Sequence, residues 1–467
     1  MHRRTRIVCT IGPASSAPSV MVRMMRSGMD VARLNFSHGT HPEHEILLRN
    51  IRSCAKKAQK HITILQDLQG PKIRVGTLPD AGVELHQHET ISFSTAIDMY
   101  VVGGALPVTY KNLHKDVHAG DRILLDDGFM DVTITSVKGK VIHAKVIHGG
   151  LLKSHKGMNL PDSVMTIDPF TEKDHADLLF GVAHGVDWLV LSFISKPEVV
   201  QRVRKIANAT ARANKVPRPW LMAKIETAKA IERFDEILDV VDGIMLGRGD
   251  LGLEIPMEDV PEVQKDIIEK CRRAGKPIIV ATQMLDSMTR NPRATRAEVS
   301  DVANAVFDHT DAVMLSAESA SGRYPSATVQ AMAAVIDEAE KSRFDLVEAP
   351  VADVDNPVHA FAHSVAVMAT RGIIDAVVTT AALPDVALAL PRYRPHVPIL
   401  VGCETDADAR RVVLYAGVTP FVLPTDSGTF VPRSHVFLVR KGYIKSRDRV
   451  AYVVGGGGSL SLTMYGG

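Results

Sequence analysis

The chain has 467 residues, 45% of them apolar and 23% charged, with a net charge of only +2 at neutral pH. It is long enough for several domains with sizeable cores, and too nearly neutral to gather polyanions, so nucleic acid is not expected as a main partner. Its cysteines, Cys9, Cys54, Cys271 and Cys403, are scattered without CxxC spacing or the paired histidines of a zinc site, and reduced thiols in a cytoplasm fit them best.

The N-terminus runs from basic residues directly into a strand-like stretch, RIVCTIG at 6–12, with no apolar leader, and no window is long and apolar enough for a membrane span. Further strand-like runs, VARLNFS at 31–37 and ITILQDL at 62–68, alternate with helix-length amphipathic segments. The alternation stops near 71. From there to 165, short β-rich pieces such as ETISFST, DVTITSV and KVIHAKVI are separated by Gly, Asp and His turns, which reads as a small β-barrel inserted into the larger domain. The alternation resumes at DWLVLSF (187–193), WLMAKIE (220–226), GIMLGRGD (243–250), PIIVATQ (277–283) and AVMLSAE (312–318). Residues 1–70 with 166–345 therefore predict an α/β fold, a (β/α)8 TIM barrel. Residues 346–467 predict a C-terminal α/β open-sheet domain, with strands at DAVVTTA, PILVGCE, FVLP and RVAYVVG, suited to regulation or assembly.

In such a barrel the chemistry sits at the C-terminal strand ends, so polar residues there stand out. The second run places Arg33, Asn35 and Ser37 at alternate positions, on one face of a strand. One such residue alone is as well read as a barrel plug; three together favour a site. The fifth run ends Lys224-Ile225-Glu226 and the sixth ends Gly247-Arg248-Gly249-Asp250, so Glu226 and Asp250 are expected on adjacent strands. Two carboxylates with open positions suit Mg2+, whereas Lys224 with Glu226 alone would equally be a buried ion pair. Thr282 and Ser316 end the last two runs and serve as proton-handling hydroxyls or as helix caps. Met284, Met314 and Cys9 read as core, and among the histidines only His38, beside the polar face of the second run, attracts a functional reading.

The segments ARLNFSHGTH (32–41), DLQGPKIRVG (67–76), KGMNLP (156–161), AKIETAKAI (223–231), GRGDLGLEIP (247–256), ATQMLDSM (281–288) and the long run TRAEVSDVANAVFDHTDAVMLSAESASGRYP (295–325) fall in the order of pyruvate kinase signatures. The chain resembles that family over most of its length. The resemblance implies a phosphotransferase that passes the phosphoryl group of phosphoenolpyruvate to ADP in the last step of glycolysis, usually as a cytoplasmic, allosteric homotetramer. It implies Arg33 on the phosphate, Glu226 and Asp250 on Mg2+, with Mn2+ as a substitute, and Lys224 on the phosphoryl group in flight. Gly249, Asp250, Thr282 and Ser316 would receive the rest of the substrate, and Asn35, His38, Arg74 and Lys156 would contact ADP and the transferred phosphate. Lys156 would arrive only when the insert closes as a lid. An aldolase on a similar barrel and a non-catalytic metabolite sensor are the rival readings; the insert with Lys156 argues against the first, and the intact rim residues against the second.

The departures also carry expectations. Many relatives have Glu where this chain has Lys72, and potassium-dependent members gather K+ at the positions of Asn35, Ser37, Asp67 and the Leu68 carbonyl. A Lys72 ammonium would take over that charge, so K+ is not expected to be required; a solvent-facing hinge lysine is the plain alternative. Gly247 stands where Ala is usual, and Ala317 and Ser319 alter a familiar run without touching the chemistry. Leu383 to Ala387 replaces the SGxTA loop of fructose-bisphosphate-regulated members and lacks its hydroxyls, so activation through this loop is not expected. The stretch after Pro424 is short, and the glycine run from Gly455 to Gly458 is atypical.

Overall fold

The computed structural model describes residues 3–345, 356–423, 429–456 and 459–466. Among these, β1 (Arg6–Thr10), β2 (Val31–Asn35), β3 (Thr63–Asp67), β4 (Trp188–Leu191), β5 (Trp220–Ile225), β6 (Gly243–Gly247), β7 (Ile278–Ala281) and β8 (Ala312–Leu315) pair in parallel with their neighbours, and β1 closes the ring against β8. These are the eight runs expected as barrel strands. Their side chains divide by the strand period of two. Val8, Val31, Leu65, Val190, Met222, Met245, Ile279 and Met314 form one buried cluster in the barrel interior. Ile7, Ala32, Leu34, Ile64, Ala223 and Leu246 belong to the outer core against the helices. Continuing the inner series one step beyond Val31, Leu65 and Met222 gives Arg33, Asp67 and Lys224, which is why these charges face the barrel axis at its C-terminal end.

Three of the barrel helices begin at reciprocal caps. Thr40 with Glu43, Thr171 with Asp174 and Thr295 with Glu298 form capping boxes at the starts of His41–Ala58, Glu172–Ala183 and Arg296–Phe307. Each box satisfies backbone N–H groups that a helix start leaves free.

The insertion between β3 and β4 contains a six-stranded sheet, in lateral order Met158–Asn159, Arg122–Leu125, Met130–Lys138, Val141–His148, Thr90–Ser94 and Leu106–Pro107, and a two-stranded sheet of Val83–Leu85 with Gly150–Leu152. The larger ladder is open. Isolated bridges such as Val75 to Val108 and one core around Phe93, Ile123, Val132 and Ile142 draw the pieces together. The expected small barrel is thus rounded by packing rather than closed by a continuous ring of hydrogen bonds.

In the C-terminal unit β9 (Ala376–Thr380), β10 (Ile399–Cys403), β11 (Val418–Val422), β12 (Val450–Gly456) and β13 (Ser459–Tyr465) lie in the order β11-β10-β9-β12-β13. Strand β13 was not expected; it folds back antiparallel on β12 after the glycine run that interrupts the pattern. Residues 346–355, where the C-terminal domain was expected to begin, lie outside the described residues, as do Pro424, Gly457 and Gly458. Pro384 opens the short helix Pro384–Ala389 after β9, and its preceding residue, Leu383, offers no side-chain cap.

The C-terminal unit covers the N-terminal end of the barrel. Asp311, just before β8, accepts Arg394 at 2.9 Å, and Asp187, just before β4, accepts Arg52 and Arg410, each at 2.9 Å. His309 lies in this interface, 3.5 Å from Asp345, and its imidazole is pushed down to about 3 by burial and by the Arg394, Arg272, Arg4 and His396 charges. A base whose folded pKa lies below its unfolded value binds fewer protons when folded, so its stabilising effect is complete above about 6.5 and is lost as pH falls toward 3. His309→Gln is therefore expected to flatten the acid side of the stability curve between about pH 6.5 and 4, by up to about 1.4 kcal/mol per pH unit. Urea unfolding of both proteins across that range measures it; parallel curves would show that His309 does not contribute.

Candidate active site

A polar cavity of about 100 Å3 opens at the C-terminal rim of the barrel, floored by Met245 and Met314 and lined by Arg33, Asn35, Ser37, Lys72, Lys224, Glu226, Asp250 and Thr282. Beneath it, Asp67 is 1% exposed and joins buried Arg33 to the largely covered Lys224. Its Oδ2 accepts Arg33 Nε at 2.7 Å, and its Oδ1 lies 3.5 Å from Lys224 Nζ. Arg33 also donates to Thr10 Oγ1 at 2.8 Å. Lys224 Nζ is shared with Glu226 Oε1 at 3.0 Å. Burial alone would raise the Asp67 carboxyl, but Lys224 and Arg33 hold it below the usual range. For Lys224, burial pulls the ammonium down and the Asp67 and Glu226 charges more than restore it.

Glu226 behaves differently. It is 2% exposed, and burial, with the Asp250 and Asp67 charges, pushes it up to about 7 despite Lys224. Its Oε2 accepts the Phe193 N–H at 3.0 Å. A carboxylate so placed lacks sufficient positive charge for its ionised form. Among the described residues no group of three or more His, Cys, Asp or Glu is arranged to hold a metal ion. The donor set, two oxygen ligands with an excess of negative charge, fits a hard divalent cation that completes its shell with substrate and water.

Several expected positions are corrected. Strand β2 ends at Asn35, whose Oδ1 accepts the Ser37 N–H at 3.1 Å, so Ser37 lies in a turn rather than on the strand, although it still lines the cavity. Strand β6 ends at Gly247, and Arg248–Glu254 is a helix, so Asp250 reaches the cavity from a first helical turn. Arg248 is committed elsewhere: it holds Asp301 through two bonds of 2.7 Å and donates to the Thr282 carbonyl at 2.9 Å. The Gly249 N–H, expected to await a carboxylate, donates to Thr282 Oγ1 at 2.8 Å. Thr282 and Gln283 sit at φ 72 and 55, a left-handed pair of the kind that clusters at functional sites. Ser316 does not line the cavity; the chain turns there, and its N–H donates to Glu318 at 2.7 Å. His38 is exposed, and its carbonyl accepts His44 Nε2 at 2.9 Å. Burial and the Lys72, Arg74 and Arg33 charges lower its imidazole.

Between the rim and the insert lies a larger cleft of about 390 Å3, reached by Lys72, Arg74, Lys156, Asp250 and Glu254. Lys156 Nζ is paired with Asp126 at 2.7 Å, and Arg74 donates to the His155 carbonyl at 3.2 Å. Lys72 is exposed and lines both spaces. Glu254, which sequence reasoning missed, is raised to about 7 by burial and the Asp250 charge. Asp67 was expected only as a ligand for a monovalent ion, not as the joint between Arg33 and Lys224; its place at the end of β3 was the available signal.

A closed parallel barrel with buried cations, an undercompensated carboxylate pair and an insert bearing further cations over the same rim defines a barrel enzyme for phosphorylated substrates. The family descriptions "Pyruvate kinase, barrel domain" and "Pyruvate kinase, alpha/beta domain" match residues 2–329 and 359–461. The chain is 40% identical to the pyruvate kinase of Geobacillus stearothermophilus over 97% of its own length and 78% of that protein, and 41% identical to that of Agrobacterium vitis over 97% and 95%. It superposes on the crystal structure of a pyruvate kinase from Cryptosporidium parvum with a TM-score of 0.91 at 32% identity, covering 99% of this chain and 96% of the other. The chain belongs to the pyruvate kinase family, whose members are phosphotransferases that use a divalent metal.

The glycine at 247 has a consequence for Glu226. A Cβ at Gly247 would lie 2.8 Å from Glu226 Cγ and 3.0 Å from its Oε1. Because Cγ is among the obstructing atoms and Glu226 is 2% exposed, Gly247→Ala is expected to cost stability and to force Glu226 into another rotamer, away from Lys224. With Lys224 no longer competing for that carboxylate, Mn2+ should bind a few-fold more tightly by titration calorimetry. Unchanged affinity would mean that Glu226 already leaves Lys224 when a metal binds.

Proposed function

We propose that this chain transfers the phosphoryl group of phosphoenolpyruvate to ADP, giving pyruvate and ATP. The observation that carries the reading is the convergence of Arg33, Lys224, Glu226 and Asp250 on one rim cavity that adjoins the insert cleft with Arg74 and Lys156. The domain division that goes with it is 1–70 and 166–345 for the barrel, 71–165 for the lid and 346–467 for the C-terminal unit. A cytoplasmic homotetramer under allosteric control is part of the proposal. Among the described residues no helix is long and apolar enough to cross a membrane.

Glu226 and Asp250 would hold Mg2+, or Mn2+ in its place, which when bound offsets charge on the substrate oxygens. Arg33 would grip the phosphate of phosphoenolpyruvate, prealigned by Asp67 and Thr10. Lys224 would follow the phosphoryl group as its bond to the enol oxygen breaks and its bond to a terminal oxygen of ADP forms. Such a reaction is accelerated by positioning and by charge stabilisation, which a buried ammonium supplies without reorganising solvent. The enolate left behind takes a proton at its methylene carbon to become pyruvate, with Thr282 the nearest proposed proton handler. Asn35, His38, Arg74 and Lys156 would meet ADP when the insert closes and excludes water.

An assay of ADP-dependent pyruvate formation with Mg2+ separates this reading from an aldolase and from a sensor. Lys224→Met is expected to lower ATP formation by several orders of magnitude, each factor of ten being about 1.4 kcal/mol of barrier. Proton exchange at the methyl group of pyruvate should fall much less, because Glu226 and Asp250 remain. Equal losses in both assays would overturn this division of roles.

Lys72 supports independence from K+. It is exposed and lines both the rim cavity and the insert cleft, beside the proposed phosphate site. Three of the four groups that would cage K+ have protein partners: Asn35 Oδ1 accepts the Ser37 N–H, Asp67 binds Arg33, and the Leu68 carbonyl accepts Ser192 Oγ at 2.7 Å. In tetramethylammonium buffer the parent is expected to turn over nearly as fast as with K+, and Lys72→Glu to require K+. A parent inactive without K+ would show that the cage is used.

A further inference from the structure

The insert is joined to the barrel by two chain crossings, one leaving after Gly70 and one returning before Thr171, and a single buried carboxylate holds both. Asp174 is 1% exposed. Its Oδ2 accepts the Thr171 N–H at 2.9 Å and the Thr171 hydroxyl at 2.7 Å, which completes the capping box of helix Glu172–Ala183. Its Oδ1 accepts the Gly70 N–H at 3.1 Å, from a residue 104 positions away. The cap needs only one of these oxygens. The other ties down the chain that departs for the insert.

That crossing is tightly seated. Gly70 has φ +66, and a Cβ there would lie 3.0 Å from both Ser192 Cβ and Phe193 Cδ2. Ser192 donates to the Leu68 carbonyl, and the Phe193 N–H donates to Glu226, so the segment against Gly70 also orients a proposed metal ligand. The same helix reaches the β2 loop, because Lys173 Nζ donates to the Phe36 carbonyl at 2.6 Å and to Asp177 at 2.6 Å. One helix start therefore joins the departing chain, the returning chain and the loop that carries Ser37.

We propose that Asp174 is a positioning residue for the phosphoryl transfer: by coupling the two crossings it fixes the orientation in which the insert brings Arg74 and Lys156 over the rim cavity. The inference rests on the reading of the insert as a closing lid. It predicts an effect on the nucleotide half of the reaction, since the phosphoenolpyruvate contacts proposed above belong to the barrel itself.

Two variants separate positioning from capping. In Asp174→Asn the amide oxygen still accepts from Thr171, but the amide nitrogen faces the Gly70 N–H, donor against donor. Thr171→Val removes the cap hydroxyl and leaves the Gly70 bond in place. Both are expected to lower the melting temperature. Asp174→Asn should also lower kcat/KM for ADP by about tenfold or more, with KM for phosphoenolpyruvate nearly unchanged, as a misplaced lid would require. It should lose the added hydrogen-exchange protection that both substrates together confer on the insert, and Thr171→Val should keep it. Equal kinetic losses that track the melting temperatures in both variants would make Asp174 a cap alone and overturn the proposal. If Asp174→Asn does not fold, the Gly70 amide of the parent decides: protection rising when both substrates bind is expected, and exchange as fast as in the exposed turns of the insert refutes it. A parent whose insert gains no protection with substrates would refute the lid itself, and this inference with it, before any variant is made.

Discussion

Asp67 is a carboxylate with almost no solvent, held between Arg33 and Lys224, and the architecture of the rim depends on it. Removing one partner of a buried ionic group leaves an uncompensated charge, which costs about 3–5 kcal/mol, so the three side chains stand or fall together. Asp67 also orients the cations before any substrate arrives: Arg33 donates onward to Thr10, and Lys224 lies between Asp67 and Glu226. These four groups, two positive and two negative, balance among themselves, and Asp250 beside them leaves the rim one negative charge in excess. A phosphorylated substrate entering this set would bring further negative charge that Arg33 and Lys224 cannot meet while they remain engaged. A divalent ion at Glu226 and Asp250 would restore the balance, and it would release Lys224 toward the phosphoryl group.

The two ends of the barrel show how the same kind of ion pair serves different purposes. At the N-terminal end, Asp187 and Asp311 have their bonds filled by Arg52, Arg410 and Arg394 and by backbone N–H groups, including those of Ile64, Ile278 and Ala416. Those pairs join the C-terminal unit to the barrel and leave little capacity for anything else. At the C-terminal end the accounts are incomplete, with Glu226 and Glu254 both displaced toward neutrality around Asp250. Among these carboxylates, the two displaced toward neutrality lie at the end that binds, and the two fully bonded ones at the end that holds.

Much of this was legible in the sequence because the barrel obeys a short repeat. Inner and outer residues alternate, so Arg33, Asp67 and Lys224 follow from counting in twos beyond Val31, Leu65 and Met222. What counting could not supply was the place where each strand stops. Asn35 ends β2 by accepting the Ser37 N–H, and Gly247 ends β6 before Arg248 starts a helix; both are side-chain or dihedral events local to a single residue. Long-range pairing was equally hidden. Arg248 meets Asp301 across 53 residues and Asp174 meets Gly70 across 104, and nothing in either neighbourhood announces the partner. Strand β13 escaped because a glycine run separates it from β12, although Leu460, Leu462 and Met464 alternate as a strand requires.

If the insert is the lid proposed above, it must move and yet arrive in register. Its own core, around Phe93, Ile123 and Val132, is separate from the barrel clusters, so it can move as a body without exposing apolar surface from either core. Its connections to the barrel are short, and a body hung on two adjacent crossings keeps mainly the freedom to swing about the line between them. Binding both crossings to one carboxylate would shorten that line and narrow the directions of swing. On that proposal the entropy of placing Arg74 and Lys156 would be largely removed before ADP binds, which is where such a reaction gains most from its scaffold. Lys156 is held in an ion pair with Asp126 within the insert, so on closure its charge would reach the rim already desolvated in part, with only the exchange of Asp126 for phosphate remaining.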